Sequence, residues 1–391
     1  MKKKLAIIMS HAIQYQTPLL RRLAVSEDID LMVYFNWDFG IKETHDPELN
    51  VSVKWDIPIL EGYPYKFLKN FSPKPSSNFF GQLNFGIVRE LVKNRYDAVL
   101  IYGWNSFVNW LVLIVAPIIG THILLHGESP LNQELQKSKL KQFLKKIFFR
   151  TLLKRVSAFL YIGEQNKKFY EYYGVSKEKL FFVPYAVDNE RFVKAAEELK
   201  PKRKELRKKL LGIEDDRPII LFGGKLIEKK RPMDLLRAYE LLVTNYKLPI
   251  TPALIFLGDG ALRSELEIYA SKHNLKDVHF VGFKNQTESP AFYVISDVFV
   301  LPSGMGETWG LMVNEAMCFD LPVIVSDVVG CGYDLVKRGE NGFVFPLGDV
   351  EKFTECLFLT LSGNYKKKSL EIIKNYSHEK DVEGIRRVLK I

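Results

Sequence analysis

The chain has 391 residues, too many for one ordinary doubly wound domain and enough for two that each bury an apolar core. Hydrophobic residues make up 47% and charged residues 26%, a balance that fits neither wholesale disorder nor a multi-span membrane protein. A formal net charge of +10 and a pI near 9.2 call for an anionic partner, and charge alone leaves nucleic acid, a phosphorylated substrate and an acidic membrane surface open.

In chain order, Lys2-Lys3-Lys4 before a short apolar run imitates a signal peptide. The run stops at Ser10-His11 without a small-residue cleavage site, so it reads as a first buried strand. Further strands are expected at 31–35, 98–102, 122–126, 159–162 and 181–184, with helical patterns between most of them, the pattern of βαβ units. The apolar stretch 110–119 contains Pro117 and is too short to cross a bilayer of about 30 Å. From 137 to 155 eight cations occur with no acidic residue, interleaved with Leu140, Phe143, Leu144, Ile147, Phe148, Phe149, Leu152 and Leu153 at helical spacing. An ordinary domain helix explains that apolar stripe. The uninterrupted charge instead suits a helix on anionic lipid. Residues 197–209 are a dense charge run with Pro201, where a linker is expected within 191–215.

A second series of strands is expected at 218–222, 253–257, 278–281, 298–301, 322–326 and 342–345, with helices at 233–243 and 262–273 among those between them. Residues 349–391 read as helices, the last packing back on the first domain. The three cysteines, Cys318, Cys331 and Cys356, have neither metal-ligand nor disulfide-framework spacing, so reduced buried thiols and a cytoplasmic location are expected. The only Asp-x-Asp, Asp28-Ile29-Asp30, enters an early strand, the wrong place for a metal–nucleotide bridge.

Chemistry concentrates in this second series. Gly223-Gly224-Lys225 ends a strand, and Lys230-Arg231-Pro232 precedes a helix. Glycines there admit a ligand to the backbone, and the cations suit a diphosphate, although solvated lysines before a helix are equally ordinary. Gly258-Asp259-Gly260 and Gly282-Phe283 close the next two strands, so glycine-containing turns recur at one sheet edge. Gly306-Glu307-Thr308-Trp309-Gly310-Leu311 is followed by Glu315. The free amides of a helix opening near Gly310 and Leu311 can hold a phosphate, and the two carboxylates can accept bonds from sugar and ribose hydroxyls. Either acid alone would pass for an ordinary surface residue.

Lys225, Lys230, Gly258-Asp259-Gly260, Gly282 and Glu307 with Glu315, in this order, resemble glycosyltransferase family 4. Pro184-Tyr185-Ala186-Val187-Asp188 agrees with the stretch such enzymes carry before their linker. The resemblance implies an α/β chain of GT-B fold, two Rossmann-like doubly wound domains facing across a cleft. The domains would span 1–190 (acceptor side) and 216–365 (nucleotide-sugar side), with C-terminal helices at 366–391. It implies a retaining, metal-independent glycosyltransferase that moves a hexose-type sugar from a nucleotide-diphosphate sugar to a saccharide or lipid-linked acceptor in polysaccharide or glycolipid synthesis. No resident cofactor and no nucleic acid partner are expected, and the enzyme would be cytoplasmic or peripheral on the inner face of the plasma membrane.

Glu307 and His126 are the implied catalytic residues. Gly224, Lys225, Lys230, Gly258, Gly282, Phe283, Gly310, Leu311 and Glu315 form the implied donor site. Two departures stand out. Lys225 occupies a position where the family often has arginine, losing the planar fork. The first strand is followed by Ser10-His11-Ala12 without a Gly-Gly pair, so His11 and Gln14 are assigned to the acceptor side. A GT-B epimerase or phosphorylase is the alternative enzyme, because fold and nucleotide recognition do not fix the reaction. A non-catalytic basic protein that binds membrane or nucleic acid is the alternative from another class.

Overall fold

Leu5-Ala6-Ile7-Ile8-Met9 is apolar at every position, which suits a strand covered on both faces, and all five residues are buried. The structure, a computed structural model, describes residues 2–41, 44–46 and 51–390. The chain divides into two units, one of Met1–Thr44, Ile57–Ala186 and Ser377–Ile391, the other of His45–Asp56 and Val187–Tyr376.

The first unit holds strands β1 (Lys3–Met9), β2 (Ile29–Phe35), β3 (Tyr65–Phe67), β4 (Ala98–Tyr102), β5 (His122–Gly127), β6 (Ala158–Tyr161) and β7 (Leu180–Phe182) in one parallel sheet ordered β3-β2-β1-β4-β5-β6-β7. The second holds β8 (Ile219–Gly223), β9 (Ala253–Leu257), β10 (Val278–Gly282), β11 (Val298–Leu301), β12 (Val323–Ser326) and β13 (Gly342–Phe345), all parallel, ordered β10-β9-β8-β11-β12-β13. Each sheet reverses its order at its first strand, so switch points lie at β1/β4 and β8/β11, beyond whose carboxyl ends ligands bind in such folds. Two short strands, Thr44–Asp46 and Val51–Val53, pair as a separate two-stranded sheet and, like β3, escaped the sequence pattern. Strand β3 is a three-residue edge strand after Pro64, largely exposed, and too short to show a period.

The helices used below are α1 (Thr17–Ala24), α2 (Gly86–Asn94), α3 (Phe107–Ile118) and α4 (Lys139–Arg155) in the first unit. The second has α5 (Asn189–Leu199), α6 (Arg203–Leu211), α7 (Pro232–Asn245), α8 (Arg263–Lys272), α9 (Ser289–Ile295), α10 (Leu311–Cys318) and α11 (Val350–Leu361). The last, α12 (His378–Leu389), belongs to the first unit again. No helix among the described residues is long and apolar enough to cross a membrane.

Residues 191–215, expected as a linker, instead supply α5 and α6 of the second unit. Phe192 is buried, its ring 6.5 Å from that of Tyr293 and 6.1 Å from that of Phe319. Arg203 donates to Asp297 at 2.7 Å and to the Ile295 carbonyl at 3.1 Å. The charge run is the wetted side of packed helices, and the chain changes unit at Ala186/Val187.

It changes back at Tyr376/Ser377, later than the expected boundary at 366. Ser369 still binds the Leu321 carbonyl at 2.6 Å in the second unit. Helix α12 packs on α1 and β7. A Cβ at Gly384 would meet the Phe182 carbonyl oxygen at 2.2 Å, so glycine is what lets this helix approach the strand. Arg386 pairs with Asp28 at 3.0 Å, which gives half of the Asp-x-Asp motif a structural partner.

Candidate functional site

The carboxyl ends of β8, β9 and β10 are laced together by backbone. Gly224 N–H donates to the Leu257 carbonyl at 3.0 Å, and Gly258 N–H donates to the Gly282 carbonyl at 3.0 Å. Gly258 has φ +144°, and a Cβ there would lie 1.9 Å from the Gly224 oxygen, so the two turns stack only because this position has no side chain. Below Gly282, Arg263 from α8 donates to Asp259 at 2.7 Å and to the Phe280 carbonyl at 3.3 Å. Phe283, next along this edge, and Lys225, in the turn after β8, are both half-buried.

Lys230 and Glu307 are far apart in sequence and form an ion pair in the structure, both side chains mostly covered. A Cβ at Gly224 would meet the stem of Lys230 at 3.7 Å, so the lysine runs beside this turn. The pairing follows from how the segments are stitched. Gly304 N–H donates to the Lys229 carbonyl at 2.7 Å, tying the turn after β8 to the loop after β11. Arg231 takes the left-handed conformation at the start of α7 and binds Asp234 at 2.5 Å. Helix α10 opens at Gly310, also left-handed, with Leu311 as its first residue. Its free N–H groups therefore sit in the same loop as Glu307. Trp309 donates its indole N–H to Asn314 at 2.9 Å and so fixes the loop to the helix.

Glu315, one turn into α10, is only 2% exposed and accepts the Tyr293 hydroxyl at 2.6 Å. Neither carboxylate is a loose surface acid. Burying a carboxylate is costly, and here Lys230 and the Tyr293 hydroxyl offset that cost. The second unit thus brings Gly224, Lys230, Gly258, Gly282 and Glu307 together at one sheet edge. Gly310, Leu311 and Glu315 enter from α10.

In the first unit His126 is the last residue but one of β5 and is 3% exposed, between the rings of Tyr102 (4.9 Å) and Tyr185 (5.4 Å). Burial pushes its imidazole down to about 4, partly opposed by a hydrogen bond with the Val183 backbone, so it is neutral at pH 7. Its Nδ1 has no hydrogen-bond partner among the described residues. His11, after β1, lies near Ser10 Oγ (2.9 Å) and stands edge-on to Trp37 and Phe39 (5.9 and 5.3 Å), and burial also lowers it to about 4. Gln14 is buried nearby in sequence, and Gln16 accepts the Tyr102 hydroxyl at 3.0 Å. Trp37, Phe39, Tyr293 and Arg263 were not expected at the site from the sequence. The aromatic Trp37-Asp38-Phe39 after a strand was one local cue; Arg263 pairs with Asp259 four residues away, whereas Tyr293 acts through Glu315, distant in sequence.

Helix α4 divides its apolar residues. Phe149 and Leu152 are buried in the first unit's core, whereas Leu140, Phe143, Leu144 and Ile147 are exposed. Packing therefore accounts for only part of the stripe. The Leu153 side chain lies outside the described residues. Lys137 and Lys145 turn to the buried Glu134, each at 2.8 Å, and Tyr173 donates to the same carboxylate at 2.7 Å.

Residues 202–380 match the family model described as Glycosyl transferases group 1. Among curated proteins the chain is 28% identical over 308 residues to a UDP-Gal:alpha-D-GlcNAc-diphosphoundecaprenol alpha-1,3-galactosyltransferase of Escherichia coli, covering 77% of this chain and 75% of that protein. It is 26% identical over 315 residues to an uncharacterized glycosyltransferase of Methanocaldococcus jannaschii, covering 76% and 86%. Among solved structures, Anabaena HepE in complex with UDP and glucose superposes with a TM-score of 0.70 at 16% identity over 99% of both chains. The lipopolysaccharide outer core galactosyltransferase WaaB gives 0.68 at 16% identity, again over 99% of both. The fold is the GT-B α/β fold of two domains, and the family match and the relatives support a glycosyltransferase enzyme.

Proposed function

We propose that this chain is a retaining glycosyltransferase that transfers a hexose from a nucleotide-diphosphate sugar to a saccharide or lipid-linked acceptor. The observation that carries the donor site is the meeting of Lys230, Glu307 and the opening of α10 beside the glycine turn at Gly224. Lys225, Lys230 and the α10 amides stabilise the diphosphate as negative charge builds on it. Gly282 and Phe283 border the base and Glu315 takes the ribose. Glu307 holds the donor sugar's hydroxyls. His126 supplies a neutral imidazole to the sugar, and His11 and Gln14 serve the acceptor.

In this reaction the acceptor oxygen bonds to the anomeric carbon from the face that the nucleotide leaves. The bond from that carbon to the diphosphate oxygen breaks, and the acceptor's proton passes to the departing phosphate. Two cations and a helix terminus carry the electrostatic task, so no metal ion is assigned a step. The E. coli relative's donor and the UDP bound to HepE support a uridine diphosphate hexose as the first donor to test, and the relative's diphosphoundecaprenol-linked acceptor supports a polyprenyl-linked glycan. An anionic membrane surface under the basic helix α4 belongs to the same proposal.

The test is a calorimetric and thermal-shift screen against UDP, GDP, ADP and CMP and their sugar conjugates, followed by product analysis with and without a lipid-linked acceptor. A ligand that binds only the native state raises its stability. One nucleotide diphosphate should bind, and the Lys225→Ala/Lys230→Ala double variant should lose it. Unchanged affinity in that variant refutes the assignment, and turnover without any acceptor would favour an epimerase.

A further inference from the structure

A cavity of about 420 Å³ lies wholly within the second unit, at the end of its sheet away from the donor edge. Its wall includes Asp297 and Pro322, the residues just before β11 and β12, so it sits at the amino ends of those strands. Helix α10 reaches both places. It opens at Gly310 in the donor loop, and its last residue, Cys318, lines the cavity together with Phe319. Small-molecule sites have volumes of about 300–1,000 Å³, a range that includes this one.

Part of the wall is held by contacts that are already complete. Arg203 donates to Asp297 at 2.7 Å, and Asp297 also accepts the Ile219 N–H at 2.9 Å, so this ion pair is frame. Ser369 donates to the Leu321 carbonyl at 2.6 Å and Asp320 accepts the Leu370 N–H at 3.2 Å, which fastens the segment after α11 to the turn before β12. The Phe319 ring is stacked on Tyr293 with centroids 5.2 Å apart.

What remains around the cavity is polar and balanced in sign. Among the described residues the side chains of Lys200, Lys367, Glu197 and Tyr365 have no hydrogen-bond or ion-pair partner, and Asp320 has one carboxylate oxygen to spare. Burial, with Asp297 and Asp320 near it, pushes the Tyr365 hydroxyl up, so it keeps its proton and can donate. Apolar side chains, Val193, Val294 and Phe319 among them, fill the wall between these groups. A ligand of one charge sign would meet like charges as well as opposite ones. A neutral ligand whose hydroxyls both donate and accept can satisfy ammonium groups and carboxylates together, while its C–H faces cover the apolar wall. Saccharides have that chemistry.

We infer that this cavity is a second saccharide site, which binds an uncharged sugar through Lys200, Lys367, Tyr365, Glu197 and Asp320 against the Phe319 wall. It lies at the opposite end of the sheet from the donor turns, so a sugar held there leaves the donor edge open. The inference goes beyond the proposed function and does not depend on it.

The experiment is saturation-transfer NMR on the full chain, with excess UDP present to fill the donor edge. The probes are glucose, galactose, N-acetylglucosamine and lactose, with glucose 6-phosphate and glutamate as charged comparators. Two variants are compared with the parent, Ala196→Trp, which puts a large ring into the cavity, and the triple variant Lys200→Gln/Lys367→Gln/Tyr365→Phe, which removes the free donors. At least one uncharged sugar should bind the parent, and each variant should bind it on the order of tenfold more weakly or worse. Parent-like binding by both variants overturns the location. Failure of every uncharged sugar to bind the parent, or tighter binding of a charged comparator, overturns the saccharide assignment. Thermal unfolding reports whether each variant is folded, and should Ala196→Trp fail to fold, the triple variant decides. Calorimetry with UDP is run in parallel, and a parent that binds sugar but not UDP would count against the donor site alone.

Discussion

Lys230 and Glu307 share one contact, which makes opposite predictions for the two partners. Glu307→Gln removes the carboxylate that competes with a diphosphate for the lysine, so UDP should bind at least as tightly as in the parent while sugar transfer falls by roughly a hundredfold or more. Lys230→Ala should instead weaken UDP binding, and calorimetry on both variants separates the roles. His126 makes a prediction in pH. Its folded value of about 4 lies below the ordinary histidine value of 6.5, so the unfolded chain binds more protons between these limits. Stability is therefore full above the unfolded value and declines as pH falls towards 4, by roughly 2–3 kcal/mol at pH 4.5 from this residue. His126→Asn should flatten that part of the profile, read as thermal midpoints from pH 7 to 4.5. His11, lowered in the same direction, contributes a similar slope that this substitution leaves in place.

Elements are held to the donor edge by backbone contacts. Gly258→Ala would place a methyl group 1.9 Å from the Gly224 oxygen at a φ of +144°, so the turn must shift. The expected result is a loss of stability of about 2 kcal/mol or more together with loss of nucleotide binding, checked by denaturant unfolding and calorimetry. Most strands were legible because short, fully apolar runs such as 253–257 and 298–301 are buried on both faces of a parallel sheet. The glycine turns and the Glu307/Glu315 spacing were legible as local signals. What joins them was not. The bond from Gly304 to Lys229, the hydroxyl that Tyr293 offers Glu315, and the rings around His11 all come from segments distant in sequence or from turn geometry. The expected linker at 191–215 misled for a physical reason, because composition reports the wetted side of α5 and α6 and hides Phe192 and Arg207, which face inward.

At the scale of the whole molecule, the first unit is assembled from separated stretches of chain. Its final piece, α12, fits against Phe182 through Gly384 and is fixed by Arg386 to Asp28 and by Glu379 to Arg22 at 2.7 Å. Removing residues 377–391 would uncover the apolar side of that helix's seat, where Ile385 and Leu389 are buried. The first unit should then become sensitive to protease while the second, with residues 187–376 intact, keeps its protection and its affinity for nucleotide. Limited proteolysis with peptide mapping checks this. Equal protection of the first unit in the truncated chain would show that α12 is dispensable.

The arrangement has a consequence for biosynthesis. A ribosome delivers residues 187–376 as one uninterrupted stretch, so most of the second unit can fold as it emerges, whereas the first unit waits for α12 until that stretch has been made. During that interval the seat of α12 is uncovered. The half-made protein therefore exposes more apolar surface than the finished one, and synthesis close to a membrane or a holding chaperone would shelter it.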